Sequence, residues 1–294
     1  MSEPKGALLL GTESVGKLLK RYATPAIIAM TASSLYNMID SIFIGHGVGP
    51  LAISGLAITF PFMNLGAAIG AMVGVGASTV TAMELGKKNY KKGCRALANT
   101  VMLNIFFGII FTIVCLAFLK PILFFFGASE QTLPYAYEYM QFILIGNIIT
   151  HLYHGLNSVL RASGHPNEAM IATIITVVAN VILDWLFIFP LGMGVKGAAI
   201  ASAISTMVGG VMAFVYLVKY AGTLKMSGVR MSPTSIILTL RNIAYQCRIG
   251  FSALLGEVTM ALVLFAGNFV FMKYLGDAGV GAYGIACYYT PFVF

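Results

Sequence analysis

The chain is dominated by long apolar runs, and the first of them carries a carboxylate. Tyr22 to Ile44 is a mostly apolar run of 23 residues with Asp40 near its far end. As a helix this run would be about 34 Å long, enough to cross the hydrocarbon core of a bilayer. Acids inside membranes are costly and usually mark the path of an ion, a proton or a substrate. The sequence therefore predicts a membrane protein with a functional acid at Asp40.

Composition supports the membrane class. Hydrophobic residues make up 59% of the chain and charged residues only 10%. The net charge of +8 raises the question of nucleic acid, but the basic residues lie in a few short loops between apolar runs, so we expect no nucleic-acid partner. The four cysteines have no spacing typical of disulfides or metal sites. The first apolar run is too long for a signal peptide, so we expect it to be retained.

The apolar runs predict an all-α polytopic membrane protein with eight helices. After the first run, the others are Leu51–Met83, Ala96–Phe118, Tyr135–Ala162, Ala169–Phe189, Gly197–Tyr220, Ile249–Leu275 and the short run from Val280 to the end. The second run carries Gly66, Gly70 and Gly74 at four-residue spacing on one face. In lipid, such small residues let a neighbouring helix approach closely. We therefore expect these glycines to pack helices together.

The distribution of basic residues predicts the orientation. Of the 18 Lys and Arg residues, 15 lie in the leader and in the loops that share its side of the membrane. The alternate loops hold only Lys120, Lys196 and Lys273. Because positive loops stay in the cytoplasm, this bias predicts a cytoplasmic N-terminus in the cell membrane.

The chain divides into two predicted bundles. We expect a cytoplasmic leader at residues 1–21, a six-helix bundle at 22–220, a cytoplasmic linker at 221–248 and a partial second bundle at 249–294. A shift of 227 residues places Arg21 on Arg248 and Gly49 on Gly276, a weak repeat of the kind found in two-bundle transporters. The last residues contain no polar tail, so we expect the natural chain to continue within a helix.

Three polar side chains from three runs share one depth, and a fourth lies one turn deeper. Asp184 lies about 9 Å, and Asp40 about 6 Å, below the predicted outer boundary, and Ser202 is at a similar level. Asn180 precedes Asp184 by four residues and so shares its helix face. These oxygens suit a hard cation, or the acids could carry a proton. In the alternative interpretation, each acid is neutralised locally and serves only helix packing.

Other polar residues inside the runs are weaker candidates. Glu257 is a third acid and belongs to the second bundle. Asn157 on the fourth run could reach a central cavity. His151 and His154 on the same run lack nearby partners for a metal site, so we expect structural roles for them.

Several motifs resemble one transporter family. They are the leader Leu10-Gly-Thr-Glu-Ser-Val-Gly-Lys-Leu-Leu, then Pro25-Ala-Ile-Ile, Leu35-Tyr-Asn-Met-Ile-Asp-Ser-Ile-Phe-Ile-Gly45, Leu160-Arg-Ala-Ser-Gly-His-Pro166, Asn180-Val-Ile-Leu-Asp184 and Gly194-Val-Lys-Gly-Ala-Ala-Ile-Ala-Ser202. In this order they resemble the multidrug and toxic compound extrusion (MATE) transporters, over the whole chain. The resemblance implies twelve helices in two six-helix lobes, of which this chain holds the first lobe and the start of the second. It also implies export of organic cations, drugs or other amphipathic compounds in exchange for sodium or protons.

The resemblance also assigns roles to particular residues. It implies that Asp40, Asn180 and Asp184 form the cation or proton site of the first lobe. Ser202 stands where the family has a threonine, a departure that keeps the hydroxyl. Pro25 matches a first-helix proline that bends during transport. Glu257 matches an acid of the sodium-using branch, whose partner lies in a later helix outside this chain.

Three other functions agree less well with the sequence. An intramembrane aspartyl protease needs a Gly-x-Gly-Asp motif, which neither Asp40 nor Asp184 has. A channel is disfavoured because no repeated filter motif is present. The main alternative is a flippase for lipid-linked saccharides of the same wider superfamily, for which we would expect basic residues in the cavity. We therefore expect a monomeric transporter of a small-molecule substrate, rather than an enzyme, and no cofactor. As the coupling ion we favour sodium over the proton, because Asn180 and Ser202 add neutral oxygen ligands.

Overall fold

The protein is a bundle of long helices. The computed structural model describes residues 14–220 and 233–287, and within these ranges there is no β-strand. The helices are α1 (Val15–Gly47), α2 (Pro50–Gly86), α3 (Tyr90–Ala117), α4 (Leu119–Phe125), α5 (Leu133–Ala162), α6 (Pro166–Ile188), α7 (Gly194–Val215), which ends in a π-helical turn (Tyr216–Tyr220), and α8 (Pro233–Cys287). The predicted all-α fold is confirmed: α1–α3 and α5–α7 form a six-helix lobe, and the two halves of α8 begin a second lobe.

Prolines and glycines set several helix boundaries. Pro50, Pro134 and Pro166 each lie in the first helical turn, where the missing N–H costs nothing. Between α1 and α2, Gly49 has a φ of 128°, which only glycine adopts readily. These residues allow tight reversals between neighbouring helices.

The lengths and composition of the helices agree with a membrane protein. Within the described parts of the chain, six helical segments are long and apolar enough to span a membrane: 15–47, 50–86, 90–117, 166–188, 194–220 and 239–287. The sequence predicted eight spans. One difference is that the last segment, 239–287, contains both of the last two predicted runs, with a break in the helix at Gly276. The other is that α5 is not among the six, because it carries a series of polar side chains that include Glu138, Asn147, His151, His154, Asn157 and Arg161.

Glycines on α2 permit close helix packing, as predicted. A side chain at Gly66 would meet the ring of Phe111 on α3, and one at Gly70 would meet the ring of His151 on α5. At Gly74 an added Cβ would lie 3.3 Å from Ser158 Oγ. All three glycines are buried. The glycine face of α2 is therefore filled by α3 and α5.

Helix α8 packs along α2 and joins the second lobe to the first. Asn268 Nδ2 donates to the carbonyl of Ala57 at 3.0 Å, and the amide of Gln246 donates to the carbonyl of Val73 at 3.4 Å. Gln246 and Asn268 are each 1% exposed. Polar side chains thus hold the two lobes together at two levels along α2.

The weak sequence repeat has a structural counterpart. Helix α8 is interrupted at Gly276, with a φ of 64°, and its predicted equivalent Gly49 also has a positive φ between two helices. A side chain at Gly281 would collide with Ser54, and the shift of 227 residues makes these two positions equivalent. Contact between equivalent positions is what a two-fold axis between α2 and the second half of α8 would produce. This supports two homologous lobes.

Some boundaries differ from the prediction. Helix α1 begins at Val15, so the end of the predicted leader is helical, and α1 continues through Pro25. Helix α8 begins at Pro233, inside the stretch predicted as a linker to residue 248, because side chains such as Gln246 are buried against α2. Residues 221–232 of that linker lie outside the described residues. The short helix α4 was not predicted, since its apolar sequence is continuous with the run before it.

The contact between α2 and α8 gives a stability prediction. An added Cβ at Gly76 would collide with the main-chain carbonyl of Gln246, whereas one at Gly86 would meet no atom within 4 Å. We expect Gly76→Ala to lower the free energy of unfolding by about 1–3 kcal/mol, since main-chain atoms cannot move aside easily. Gly86→Ala is the matched control and should change it by no more than about 1 kcal/mol. Thermal unfolding of the purified protein measures both, and equal melting temperatures would contradict this packing.

Candidate functional site

Three helices bring the four predicted site residues together. Helix α1 supplies Asp40, α6 supplies Asn180 and Asp184, and α7 supplies Ser202. Asn180 Nδ2 donates to Ser202 Oγ at 3.2 Å. The carboxylates of Asp40 and Asp184 lie close enough to interact electrostatically. The shared depth inferred from the sequence therefore corresponds to one cluster.

The cluster is buried and incompletely hydrogen-bonded. Asp184 is 0% exposed and Asp40 5% exposed. Four of its oxygens have no hydrogen-bond partner: Asp40 Oδ1, Asn180 Oδ1, Asp184 Oδ1 and Asp184 Oδ2. Buried polar atoms are nearly always paired, because an unpaired one loses its hydration without compensation. The cluster thus presents converging acceptors that a cation or a proton would satisfy.

Tyr36 is a member of the cluster that the sequence analysis missed. Its side chain interacts with Ser202 and lies within electrostatic range of Asp40 and Asp184. Tyr36 precedes Asp40 by four residues, the same spacing that relates Asn180 to Asp184, so both pairs share a helix face. This four-residue spacing is the sequence signal that could have identified Tyr36 as a member of the cluster.

A cavity of about 480 Å³ adjoins the cluster. Tyr36 and Asn180 belong to both the cluster and the cavity wall, and Glu257 reaches the wall from α8. The rest of the lining combines Ser, Thr and Asn side chains with the aromatic and methionine residues Phe62, Met63, Phe111, Met140 and Tyr153. Within residues 14–220 and 233–287, no Lys or Arg lines the cavity. A solute in this cavity would contact Tyr36 and Asn180 of the cluster directly.

The other candidates have different surroundings. Asn157 Nδ2 donates to the carbonyl of Ala169 at 3.1 Å and so ties α5 to α6, while its neighbours His154 and Ser158 line the cavity. His151 also lines the cavity and packs against Phe111. Within residues 14–220 and 233–287, no group of three or more His, Cys, Asp or Glu side chains could hold a metal ion.

Comparison with known proteins places this fold in a family. The MatE family profile matches residues 25–186, which is more than half of the chain. The chain belongs to the MatE family. Multidrug export protein MepA of Staphylococcus haemolyticus is 28% identical to this MATE chain over 273 residues, which cover 93% of the chain and 59% of MepA.

Solved MATE structures have the same fold. The multidrug transporter DinF-BH, solved in complex with R6G, is 30% identical, with a TM-score of 0.87 over 96% of this chain and 62% of DinF-BH. An inward-facing multidrug resistance MATE transporter of the MOP superfamily is 26% identical, with a TM-score of 0.80 over 91% of this chain and 63% of that protein. The resemblance to MATE transporters is confirmed, and the chain spans about 60% of the length of these relatives.

The cavity gives a labelling prediction for this MATE chain. Ala67 lines the cavity, whereas its neighbour Ala68 is 1% exposed. With the four native cysteines replaced, Ala67→Cys should react quickly with a water-soluble methanethiosulfonate, because a thiol must be reached to be modified. Ala68→Cys, one residue away on α2, is the matched control and should react slowly. Equal labelling rates at the two positions would contradict this difference in exposure.

Proposed function

We propose that this chain is the first part of an ion-coupled exporter of organic cations, drugs or other amphipathic compounds, driven by inward movement of sodium or protons. The observation that carries the proposal is the set of unpartnered oxygens on Asp40, Asn180 and Asp184 beside a cavity. The relatives named as multidrug export proteins support the same class.

The electrostatics of the cluster favour cation binding. Two ionised carboxylates in a medium of low dielectric constant repel each other strongly. A bound cation, or a proton on one acid, removes that repulsion and satisfies the free oxygens at the same time. The cluster therefore changes its charge when the ion arrives or leaves.

Shared residues provide the coupling between ion and cargo. Asn180 donates to Ser202 in the cluster and also lines the cavity. Tyr36 interacts with Ser202 as well and lines the same cavity. A cation that draws Asn180 Oδ1 toward itself would turn the amide, shift the groups that a cargo molecule contacts, and so weaken cargo binding. Because linkage between two sites is reciprocal for binding free energies, cargo in the cavity would weaken ion binding to the same degree. The protein would therefore exchange the ion for the cargo.

Sodium is the ion that we favour. Asn180 and Ser202 contribute neutral oxygens beside the two carboxylates, and hard cations select such oxygen ligands. A proton carrier would need only a carboxylate, and the neutral oxygens would be superfluous. The proton is the alternative coupling ion.

The cavity wall favours amphipathic cations as cargo. It combines aromatic and methionine side chains with Glu257, and no Lys or Arg of the described residues lines it. Cations bind favourably over aromatic rings and beside acids. The flippase alternative is less compatible with this wall, since a diphosphate on a lipid-linked saccharide would meet no Lys or Arg from the part of the chain that the structure describes.

The setting of the proposed exporter follows from the charge distribution. We propose a monomer in the cell membrane. Its N-terminus is in the cytoplasm, because 15 of the 18 basic residues lie on that side in the predicted topology. We also propose that Pro25, which interrupts the hydrogen-bond ladder of α1 near its start, lets that helix bend during transport. Glu257 would supply a third acid, from the other lobe.

The first test removes one charge at a time. In vesicles containing the full-length protein, Asp40→Asn or Asp184→Asn should abolish transport driven by an ion gradient, since the amide keeps the shape but not the charge. Glu138→Gln, at an exposed acid near the start of α5, is the matched control and should transport normally. Full gradient-driven transport by either Asp variant would refute the coupling site.

A second test identifies the ion. At fixed pH a sodium gradient should drive transport, and Ser202→Ala should raise the sodium concentration for half-maximal transport about tenfold, which corresponds to one lost contact to a charged group. If a pH gradient alone gives full transport without sodium, and Ser202→Ala has no effect, the proton is the coupling ion.

A further inference from the structure

The turn between α2 and α3 carries the densest group of positive charges in the chain. Five basic side chains lie within nine residues, and no other nine-residue stretch of the sequence has more than three. These five, the α2–α3 basic patch, are all exposed: Lys87, Lys88, Lys91, Lys92 and Arg95. The orientation of a membrane protein depends on the total bias between loops. Orientation alone therefore does not explain why the charges are concentrated here.

The charges of the basic patch are not neutralised by nearby acids. Glu84 is the only acid between residues 41 and 129, so residues 84–95 carry a net charge of +4. In the described parts of the chain, no acid forms an ion pair with any member of the patch. A concentrated and unpaired positive charge attracts anions.

The backbone of the turn would favour glycine at one member of the patch. Lys88 has a φ of 57° and is the only non-glycine residue with a positive φ in the part of the chain that the structure describes. Its N–H donates to the carbonyl of Leu85 at 2.9 Å, and the N–H of Asn89 donates to the carbonyl of Glu84 at 2.8 Å, so α2 ends in a Schellman motif. Glycine adopts this conformation at a lower cost. Because the Lys88 side chain is exposed, an interaction of its charge explains the lysine better than packing does.

An apolar stripe continues from the basic patch along the exposed face of α3. At about 100° per residue, Met102, Phe106 and Ile113 lie within about 20° of Arg95 around the helix. Met102 is 42%, Phe106 55% and Ile113 63% exposed. Phe106 is about 16 Å from Arg95 along the helix axis, close to the roughly 15 Å of hydrocarbon in one leaflet. One helix face thus presents positive charges followed by an apolar surface, which complements an anionic phospholipid.

We propose that the α2–α3 basic patch and the adjoining face of α3 bind an anionic phospholipid of the inner leaflet. Lys91, Lys92 and Arg95 contact its phosphate, and one acyl chain lies along Met102 and Phe106. The leaflet follows from the predicted topology, in which this turn is cytoplasmic. The proposal does not depend on the proposed export function, because it concerns the lipid-facing surface and not the cavity or the coupling site.

Selectivity for an anionic headgroup has an electrostatic basis. Phosphatidylglycerol and phosphatidylcholine with identical chains both carry a phosphate, but only phosphatidylglycerol has a net negative charge. Lysine and arginine near a membrane surface are attracted to anionic lipids, and this attraction is screened by salt. Arginine can also donate two hydrogen bonds to one phosphate. We therefore expect a preference for phosphatidylglycerol that falls as the salt concentration rises.

Tryptophan fluorescence measures this preference at a chosen point on the surface, because brominated acyl chains quench a tryptophan that they touch. With all other tryptophans of the full-length protein replaced by phenylalanine, Phe106→Trp places one reporter beside the basic patch. In vesicles that mix brominated phosphatidylglycerol with unbrominated phosphatidylcholine, and in the converse mixture, this reporter should show an affinity about three- to tenfold higher for phosphatidylglycerol. In about 1 M salt the two affinities should become nearly equal.

A second position serves as the control for location. Trp185 is 54% exposed on α6, near the opposite, outer boundary in the predicted topology. A protein that retains Trp185 as its only tryptophan should show nearly equal affinities for the two lipids. An equal preference at both positions would overturn the proposal, since the whole surface would then select anionic lipid.

Charge removal tests the basic patch itself. In the Phe106→Trp reporter, the triple change Lys91→Gln, Lys92→Gln and Arg95→Gln should bring the preference close to equal affinity. Lys88→Gly removes one charge at a position where glycine fits the backbone, and should lower the preference about two- to threefold. The matched control removes three exposed charges elsewhere on the predicted inner side and should keep the full preference: Lys20→Gln, Arg21→Gln and Lys219→Gln.

Four further results would overturn the proposal. They are equal affinities for the two lipids in the parent reporter, a full preference in either the triple variant or Lys88→Gly, and an equal loss of preference in the matched control. The fourth is the absence of quenching by either brominated lipid, which would mean that protein rather than lipid covers this face of α3.

Discussion

The burial of two carboxylates within a helical bundle is the constraint on which this structure depends. Asp40 and Asp184 are almost completely buried, interact with each other and retain oxygens without partners. Such an arrangement is costly in any protein and more so in a membrane. A simple packing role would be served better by apolar residues, which often stabilise a core more than buried charges do. The cost is understandable if the acids exchange partners during the working cycle.

Close packing by small residues places the two lobes around one cavity. Glycines on α2 accept α3 and α5 on one face, and Gly76 lies against the backbone of α8 near Gln246. As a result α8 can bring Glu257 to the same cavity that Tyr36 and Asn180 reach from the first lobe. Charge in the cluster, the shape of the cavity and the contact between lobes are therefore physically connected.

Much of this arrangement could be predicted from the sequence, because helix periodicity and depth in a membrane are regular. The positions of Asp40, Asn180 and Asp184 along their runs were enough to bring them together. Tyr36 was missed because a tyrosine in an apolar run is ordinarily a packing residue. Asn147, whose amide nitrogen is buried without a partner, was not a candidate, because whether a polar side chain has a partner depends on neighbouring helices. The helical start of α8 was also hidden, since Gln246 is polar in sequence but buried against α2.

If the Asp40–Asp184 cluster holds the coupling cation, as we propose, the purified full-length protein should bind radioactive sodium at equilibrium without a substrate or a gradient. We expect saturable binding that protons displace as the pH falls and that is lost in Asp184→Asn. Absence of saturable sodium binding at any pH, or undiminished binding by Asp184→Asn, would contradict it.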